Sequence, residues 1–336
     1  MTEALVIGVS VAAAAVCILL ILLLRPLLIR HALAQPNARS SHKVPTPQGG
    51  GIAVIGAAFA VILAAAVVVP PLRAVLPDLG PVMASAVLLA VLGGADDIRP
   101  LGVVLRLIVQ LIAVGTVVAT LPGELHAVGL LPDWAQRGLL VVAGMWFVNL
   151  VNFMDGIDLM TAAEVVPVSA AMIVMGALGA LAADGVMIAA ALLGAMIGFC
   201  PFNRPVARLF LGDVGSLPVG LLMGWLLARL AANGHVAAAL LLPGYYLGDA
   251  TVTLIRRIAD GEPVWVAHRT HFYQRATSSG FAVIEVVARV FAVNLGLAAL
   301  AVSTVIWPGL PVTIAALAAG AVLVTWLLVS FARGRP

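Results

Sequence analysis

This chain is short of charge. Only 10% of its 336 residues are Asp, Glu, Lys or Arg, while 63% are hydrophobic; ordinary soluble domains carry about 25% charged residues. This excludes a soluble globular protein and implies a polytopic membrane protein, whose length does not count domains. Lysine is reduced to one residue, Lys43. Two cysteines, Cys17 and Cys200, lie far apart in apolar runs. They read as small buried hydrophobes and offer neither a disulfide framework nor a zinc site. No basic residue precedes the first apolar run, and Arg25 and Arg30 follow it. A signal peptide has the opposite charge order and a shorter apolar core. Despite the cleavage-like Ala32-Leu33-Ala34, residues 4–24 are therefore expected to be a retained span. No internal repeat is visible, which removes the signature of many transporters.

Long apolar runs are abundant. A helical span needs about 20 such residues, and eleven stretches qualify: 4–24, 50–69, 79–95, 102–121, 137–154, 161–182, 185–201, 214–232, 236–255, 282–304 and 312–331. The expectation is an all-α fold of about eleven transmembrane helices forming one domain over residues 1–336. With the N-terminus outside and the C-terminus cytoplasmic, 15 of the 18 Lys and Arg residues fall in or beside inner loops; Arg73, Arg137 and Arg229 are the three exceptions. Positive charge favours the cytoplasmic side, so this orientation is the expected one. The outer links are then short or bland. The inner loops 25–49, 96–101, 155–160, 202–213 and 256–281 hold nearly every unusual residue, so function is expected at the cytoplasmic face.

Five clusters carry chemistry. Asn149, Asn152, Asp155 and Asp158 recur at every third position of Asn-Leu-Val-Asn-Phe-Met-Asp-Gly-Ile-Asp. On a helix the first three form one polar stripe, with Gly156 as the expected stop. A carboxylate at a helix centre in a membrane costs roughly 2.5–3.5 kcal/mol on insertion scales, so such groups need a reason. The stripe serves either as polar glue between helices or as a wall of a polar site. Asp96-Asp97 closes the third span; it is either a solvated boundary or a pair that holds a cation or removes a proton. Gly212-Asp213-Val214-Gly215-Ser216 opens the eighth span. Asp213 there is a helix cap or a ligand-binding acid between glycines that admit close approach, near N–H groups that attract phosphate. His268-Arg269-Thr270-His271-Phe272-Tyr273-Gln274-Arg275 suits a phosphate site or a loop on anionic lipid. Ser41-His42-Lys43-Val44-Pro45-Thr46-Pro47-Gln48-Gly49-Gly50-Gly51 leads into the second span, with Lys43 as a candidate phosphate contact. Asp249 either pairs with a basic residue or joins the site. Acids without a Cys/His cage, set beside basic groups, suggest Mg²⁺ and a phosphorylated substrate.

Taken in order, these motifs resemble those of the polyprenyl-phosphate N-acetylhexosamine-1-phosphate transferases, the MraY/WecA-like superfamily of glycosyltransferase family 4. The likeness covers nearly the whole chain and rests on residues 41–51, 94–97, 149–158, 212–216 and 268–275. It implies an Mg²⁺-dependent enzyme, with Mn²⁺ as a substitute, in the bacterial inner membrane. The enzyme would move a sugar-1-phosphate from a UDP-sugar to undecaprenyl phosphate, release UMP and start a lipid-linked polysaccharide such as O-antigen. It implies Asp213 as the chief metal ligand with Asp155 beside it. Asp96 and Asp97 would handle the lipid phosphate. Asn149, Asn152, Asp155 and Asp158 would shape the nucleotide and diphosphate site, and Lys43, His268, Arg269 and His271 would meet phosphate or sugar.

The sequence His-Arg-Thr-His departs from the three consecutive histidines of the muropeptide-precursor branch, which points to the WecA/WbpL-like branches; it differs too from the shorter His-Ile-Arg of the N-acetylglucosamine-1-phosphate enzymes, which points to modified donors such as UDP-N-acetylfucosamine or UDP-N-acetylquinovosamine. The muropeptide-precursor transferase stays as the alternative within the family. Direct displacement and a covalent aspartyl intermediate both stay open, as does a homodimer; membrane lipids are expected partners and nucleic acid is not. A transporter of an anionic or nucleotide-sugar substrate is the rival of another class. It would place charges near the bilayer midplane, whereas here they lie at inner span ends.

Overall fold

The computed structural model describes residues 2–34, 45–121, 131–263 and 268–335. They form α1 (Glu3–His31), α2 (Gly50–Val68), α3 (Leu76–Ile98), α4 (Val103–Ala119), α5 (Asp133–Met154), α6 (Met160–Ala177), α7 (Ala183–Asn203), α8 (Asp213–Ala232), α9 (Val236–Leu241), α10 (Gly244–Ala259), α11 (Phe272–Ser278), α12 (Val283–Ile306) and α13 (Leu310–Arg333). A two-residue ribbon, β1 (Leu33–Ala34) against β2 (Thr46–Pro47), is the one sheet among the described residues. The protein is an all-α multi-pass membrane protein.

Each of the eleven apolar stretches is helical. Among the described residues, nine helices are long and apolar enough to cross a membrane. The other two stretches differ from expectation. α4 has 17 residues. The stretch 236–255 is broken at Leu242-Pro243 into the six-residue α9 and the sixteen-residue α10. Proline lacks the N–H of a helical ladder and clashes with the preceding turn. The first helix runs on through Pro26 to His31, beyond the expected end at residue 24.

α8 is the hub. α2, α3 and α5 all pack on it, and it is the most buried of the long helices. α1 and α13 lie at the rim: α1 against α2 and α7, α13 against α12 and α10. Small residues set the closest approaches, as expected where lipid gives no hydrophobic drive between helices. A Cβ on Gly51 would meet the Gly215 Cα at 2.1 Å, and one on Gly93 would meet the Asp213 carbonyl oxygen at 2.2 Å. α2, α3 and α8 therefore converge at their motif-bearing ends.

Two polar pairs inside the bundle join helices to one another. Asn294 Nδ2 on α12 donates to Glu164 Oε2 on α6 at 2.7 Å. Arg229 holds both oxygens of Asp184 at 2.9 and 2.7 Å, at the end of α8 away from Asp213. This ion pair accounts for one of the three cations on the outer side of the expected topology.

Candidate active site

The segment 45–51 approaches the site by pairing with the entry to α8. Gly50 and Gly51 donate to the carbonyls of Phe210 and Leu211 at 2.8 and 2.9 Å, and Gln48 Nε2 donates to the Asp97 carbonyl at 3.0 Å. These bonds bring the motif-bearing ends of α2, α3 and α8 to one point. Lys43 lies outside the described residues.

Asp97 Oδ1 accepts the Asp213 N–H at 3.0 Å, and its Oδ2 accepts the Val214 N–H at 3.1 Å. A carboxylate on the first N–H groups of a helix satisfies donors that have no partner in the helix and favours the positive end of its dipole. Asp97 caps α8 from another helix. The N–H groups that the sequence offered to phosphate are thus taken by a side chain. The space at Gly212 is used by protein in the same way: a Cβ there would meet Asp97 Oδ2 at 2.6 Å, on a backbone with φ +75°. Asp96 accepts the Leu101 N–H at 2.6 Å and pairs with Arg106 at 2.9 Å, and its carboxyl also reaches that of Asp213.

The polar stripe divides among neighbours. Asn149 Nδ2 donates to Gln110 Oε1 on α4 at 2.7 Å, and Gln110 returns a bond at 3.3 Å. Asn152 Nδ2 donates to Asp213 Oδ1 at 2.7 Å and to Ser216 Oγ at 2.9 Å. Asp155 accepts the Thr161 hydroxyl. Burial pushes the Asp155 carboxyl up to about 8, and the negative charges of Asp213, Asp97 and Asp158 push the same way against the Thr161 bond. Asp158 is buried and accepts the Ala207 N–H at 3.1 Å, tying the loop 155–160 to the loop before α8.

Gly156 does not stop α5 by a left-handed backbone. The residue with positive φ is Leu159, at 61°. What Gly156 supplies is room, because a Cβ there would meet Tyr273 Oη at 2.1 Å. Tyr273 O–H donates to the Phe153 carbonyl at 2.9 Å, docking α11 onto the end of α5.

Two histidines complete the site. The His271 ring is buried and stacks on His268 with centroids 4.9 Å apart. Burial pushes the His268 ring down to about 4, with His271 and Arg257 acting in the same direction and Asp249 opposing. His268 is therefore a neutral group over the physiological range. Arg269 is half-buried and is not among the residues that line the cleft.

A cleft of about 600 Å³ joins these parts. Arg106, Gln110, Asn149, Asn152, Asp213, His268 and His271 supply its polar lining, and Trp146 and Phe153 its aromatic one. Trp146 also borders an apolar groove of about 340 Å³ between α5, α8 and α9. Arg106 and Gln110 did not stand out in the sequence. Their spacing of four on one face of a helix was the available signal, and a single cation beside a span reads first as topology.

Among the described residues no group of three or more His, Cys, Asp or Glu could hold a metal unaided. Yet Asp155, Asp213, Asp97 and Asp158 lie close enough for their charges to act on one another. That donor set fits a cation such as Mg²⁺, which takes one or two carboxylates and draws its other ligands from phosphate and water.

Residues 79–231 match the family model described as glycosyl transferase family 4. The chain is similar to a probable undecaprenyl-phosphate N-acetylglucosaminyl 1-phosphate transferase of Bacillus subtilis (strain 168), 25% identical over 79% of this chain and 76% of the relative. It is 28% identical to a decaprenyl-phosphate N-acetylglucosaminephosphotransferase of Mycobacterium tuberculosis (strain CDC 1551 / Oshkosh), over 74% of this chain and 70% of the relative. A phospho-N-acetylmuramoyl-pentapeptide-transferase of Nostoc punctiforme is 35% identical over a shorter stretch, 38% of this chain and 32% of the relative.

Proposed function

This chain belongs to the glycosyl transferase family 4 superfamily, and from that premise we propose that it transfers an N-acetylhexosamine-1-phosphate from a UDP-sugar to undecaprenyl phosphate. UMP is released, and the lipid product starts a cell-surface polysaccharide of the O-antigen or a similar type. The protein works in the bacterial inner membrane with its cleft facing the cytoplasm. The observation that carries this reading is Asp213, held by Asn152 at 2.7 Å and exposed to a cleft that two histidines and Arg106 also line. The Bacillus subtilis and Mycobacterium tuberculosis relatives are both named for N-acetylglucosamine phosphate transfer to a polyprenyl phosphate.

An oxygen of the lipid phosphate attacks the sugar-linked phosphorus, and the bond from that phosphorus to the UMP oxygen breaks. The acceptor is already anionic near neutral pH, so positioning and charge neutralisation matter more than a strong base. Asp213 and Asp155 would hold Mg²⁺, which when bound neutralises charge on the diphosphate. Asn152 fixes Asp213, and Asp97 fixes the backbone on which Asp213 sits. Arg106, His268 and His271 supply donors toward phosphate or sugar, and the apolar groove beside Trp146 takes the polyprenyl chain.

The test is UMP release by purified protein given undecaprenyl phosphate, Mg²⁺ and a panel of UDP-sugars, with the muropeptide donor included. Release with an N-acetylhexosamine donor, lost with EDTA and in Asp213→Asn, is the expected result. No release with any donor sinks the proposal, and release with the muropeptide donor alone moves the protein to the other branch.

A further inference from the structure

Asp249 is absent from every role described so far. Its side chain is fully buried in α10, where a carboxylate is costly unless donors surround it. Five do. Oδ1 accepts the Phe272 N–H at 3.0 Å and lies 3.2 Å from His271 Nδ1 and 3.3 Å from Thr253 Oγ1. Oδ2 accepts the Tyr273 N–H at 3.1 Å and the Tyr245 hydroxyl at 3.0 Å. The chain between α10 and α11 therefore returns to α10 at a single carboxylate.

Capping the first turn of α11 accounts for the two backbone contacts. It does not account for His271. A carboxylate only accepts, so the ring nitrogen bonded to it carries the proton, and that bond selects the tautomer. The ring is also fixed in orientation, stacked between His268 and Tyr273 at 4.9 and 5.8 Å. The same ring lines the cleft that holds Asp213 and Asn152.

We propose that Asp249 is a positioning residue for the transfer reaction: by holding the Nδ1–H of His271, it makes Nε2 the nitrogen that His271 offers to the substrate's diphosphate or sugar. What Nε2 meets rests on the transferase reading; the fixing of the ring does not.

Nitrogen NMR of histidine-labelled protein in nanodiscs reads the tautomer directly. The protein has six histidines, and His271 is assigned by the signal lost in His271→Gln. At a pH where the ring is neutral, wild-type His271 is expected as the Nδ1–H form. The Nε2–H form overturns the proposal, whether or not any Asp249 variant folds. In Asp249→Asn the tautomers mix, because an amide donates as well as accepts.

In the UMP assay Asp249→Asn is expected to lower kcat about 10- to 100-fold, the range for carboxylates that orient metal-bound histidines, with KM for the lipid little changed. The double variant Asp249→Asn/His271→Gln should fall within about 2-fold of His271→Gln alone, since the two residues act as one unit. Losses that multiply would mean that Asp249 supports α11 without acting through His271, and would overturn the proposal. A wild-type protein silent with every donor removes the transferase reading and leaves the tautomer result standing.

Discussion

Asn152 shows how a residue's neighbours set its task. Its amide spans Asp213 Oδ1 and Ser216 Oγ, at 2.7 and 2.9 Å, so its role is to aim the acid. A hydrogen bond to a charged group is worth about 1.5–3 kcal/mol. Asn152→Ala is therefore expected to raise KM for the UDP-sugar about 10-fold or more, with KM for undecaprenyl phosphate nearly unchanged in steady-state kinetics. His268 allows a pH test. Burial pushes its folded value down to about 4, while an unfolded histidine titrates near 6.5. Between these values the unfolded chain binds the proton and the folded one does not, so stability from this group is present above 6.5 and is lost as pH falls toward 4. The melting temperature of the wild type relative to His268→Gln should therefore drop as pH is lowered from 7 to 4, as read by thermal unfolding in detergent. An unchanged difference would show that His268 takes its proton normally.

At the scale of elements, the entry to α8 decides the site. α2 and α3 approach it through Gly51 and Gly93, and Asp97 caps it. Adjacent aspartates in a sequence suggest equal partners in chemistry. In the fold they differ: Asp96 pairs with Arg106 and reaches Asp213, while both oxygens of Asp97 accept backbone N–H groups. Asp97→Asn keeps one of those bonds and turns a donor toward the other N–H. Loss of such a cap costs about 1 kcal/mol, so this variant should lose thermal stability and activity together. Asp213→Asn should lose activity with the melting temperature nearly unchanged. If Asp97→Asn is inactive but as stable as wild type, Asp97 acts on substrate directly.

For the whole molecule, the charge distribution predicts the orientation. Single cysteines at Thr270 and at Asn233, placed in a protein free of Cys17 and Cys200, should react with impermeant maleimide from opposite sides. Thr270 is expected to label only from the cytoplasmic side. Labelling of both from one side would break the alternation of spans. The whole-chain view also shows how far the site was readable in advance. Asp96, Asp97, Asn149, Asn152, Asp213, His268 and His271 were legible because polar groups in an apolar chain are expensive and therefore conspicuous. Gln110 and Arg106 were not, since their meaning lies in contacts with Asn149 and Asp96 on other turns and helices. α5 does end beside Gly156, as the sequence suggests, with Met154 its last residue and Asp155 its cap; what the fold adds is that the missing Cβ admits Tyr273.

The sequence by itself determined the solvent of this protein and the places where its helices lie, since both follow from local composition and from the length of apolar runs. Through the bias of Lys and Arg it also sets the expectation, tested by the labelling above, that the end gathering the polar motifs faces the cytoplasm. Tertiary structure alone decided the roles. Asp97 meets the Asp213 N–H across 116 positions of chain, and Asp249 meets His271 across 22. Such bonds depend on how helices pack, a relation that no local pattern encodes. The break at Leu242-Pro243 belongs to both levels: the proline is plain in the sequence, but its consequence, a short α9 bordering the apolar groove, exists only once α5 and α8 are packed beside it.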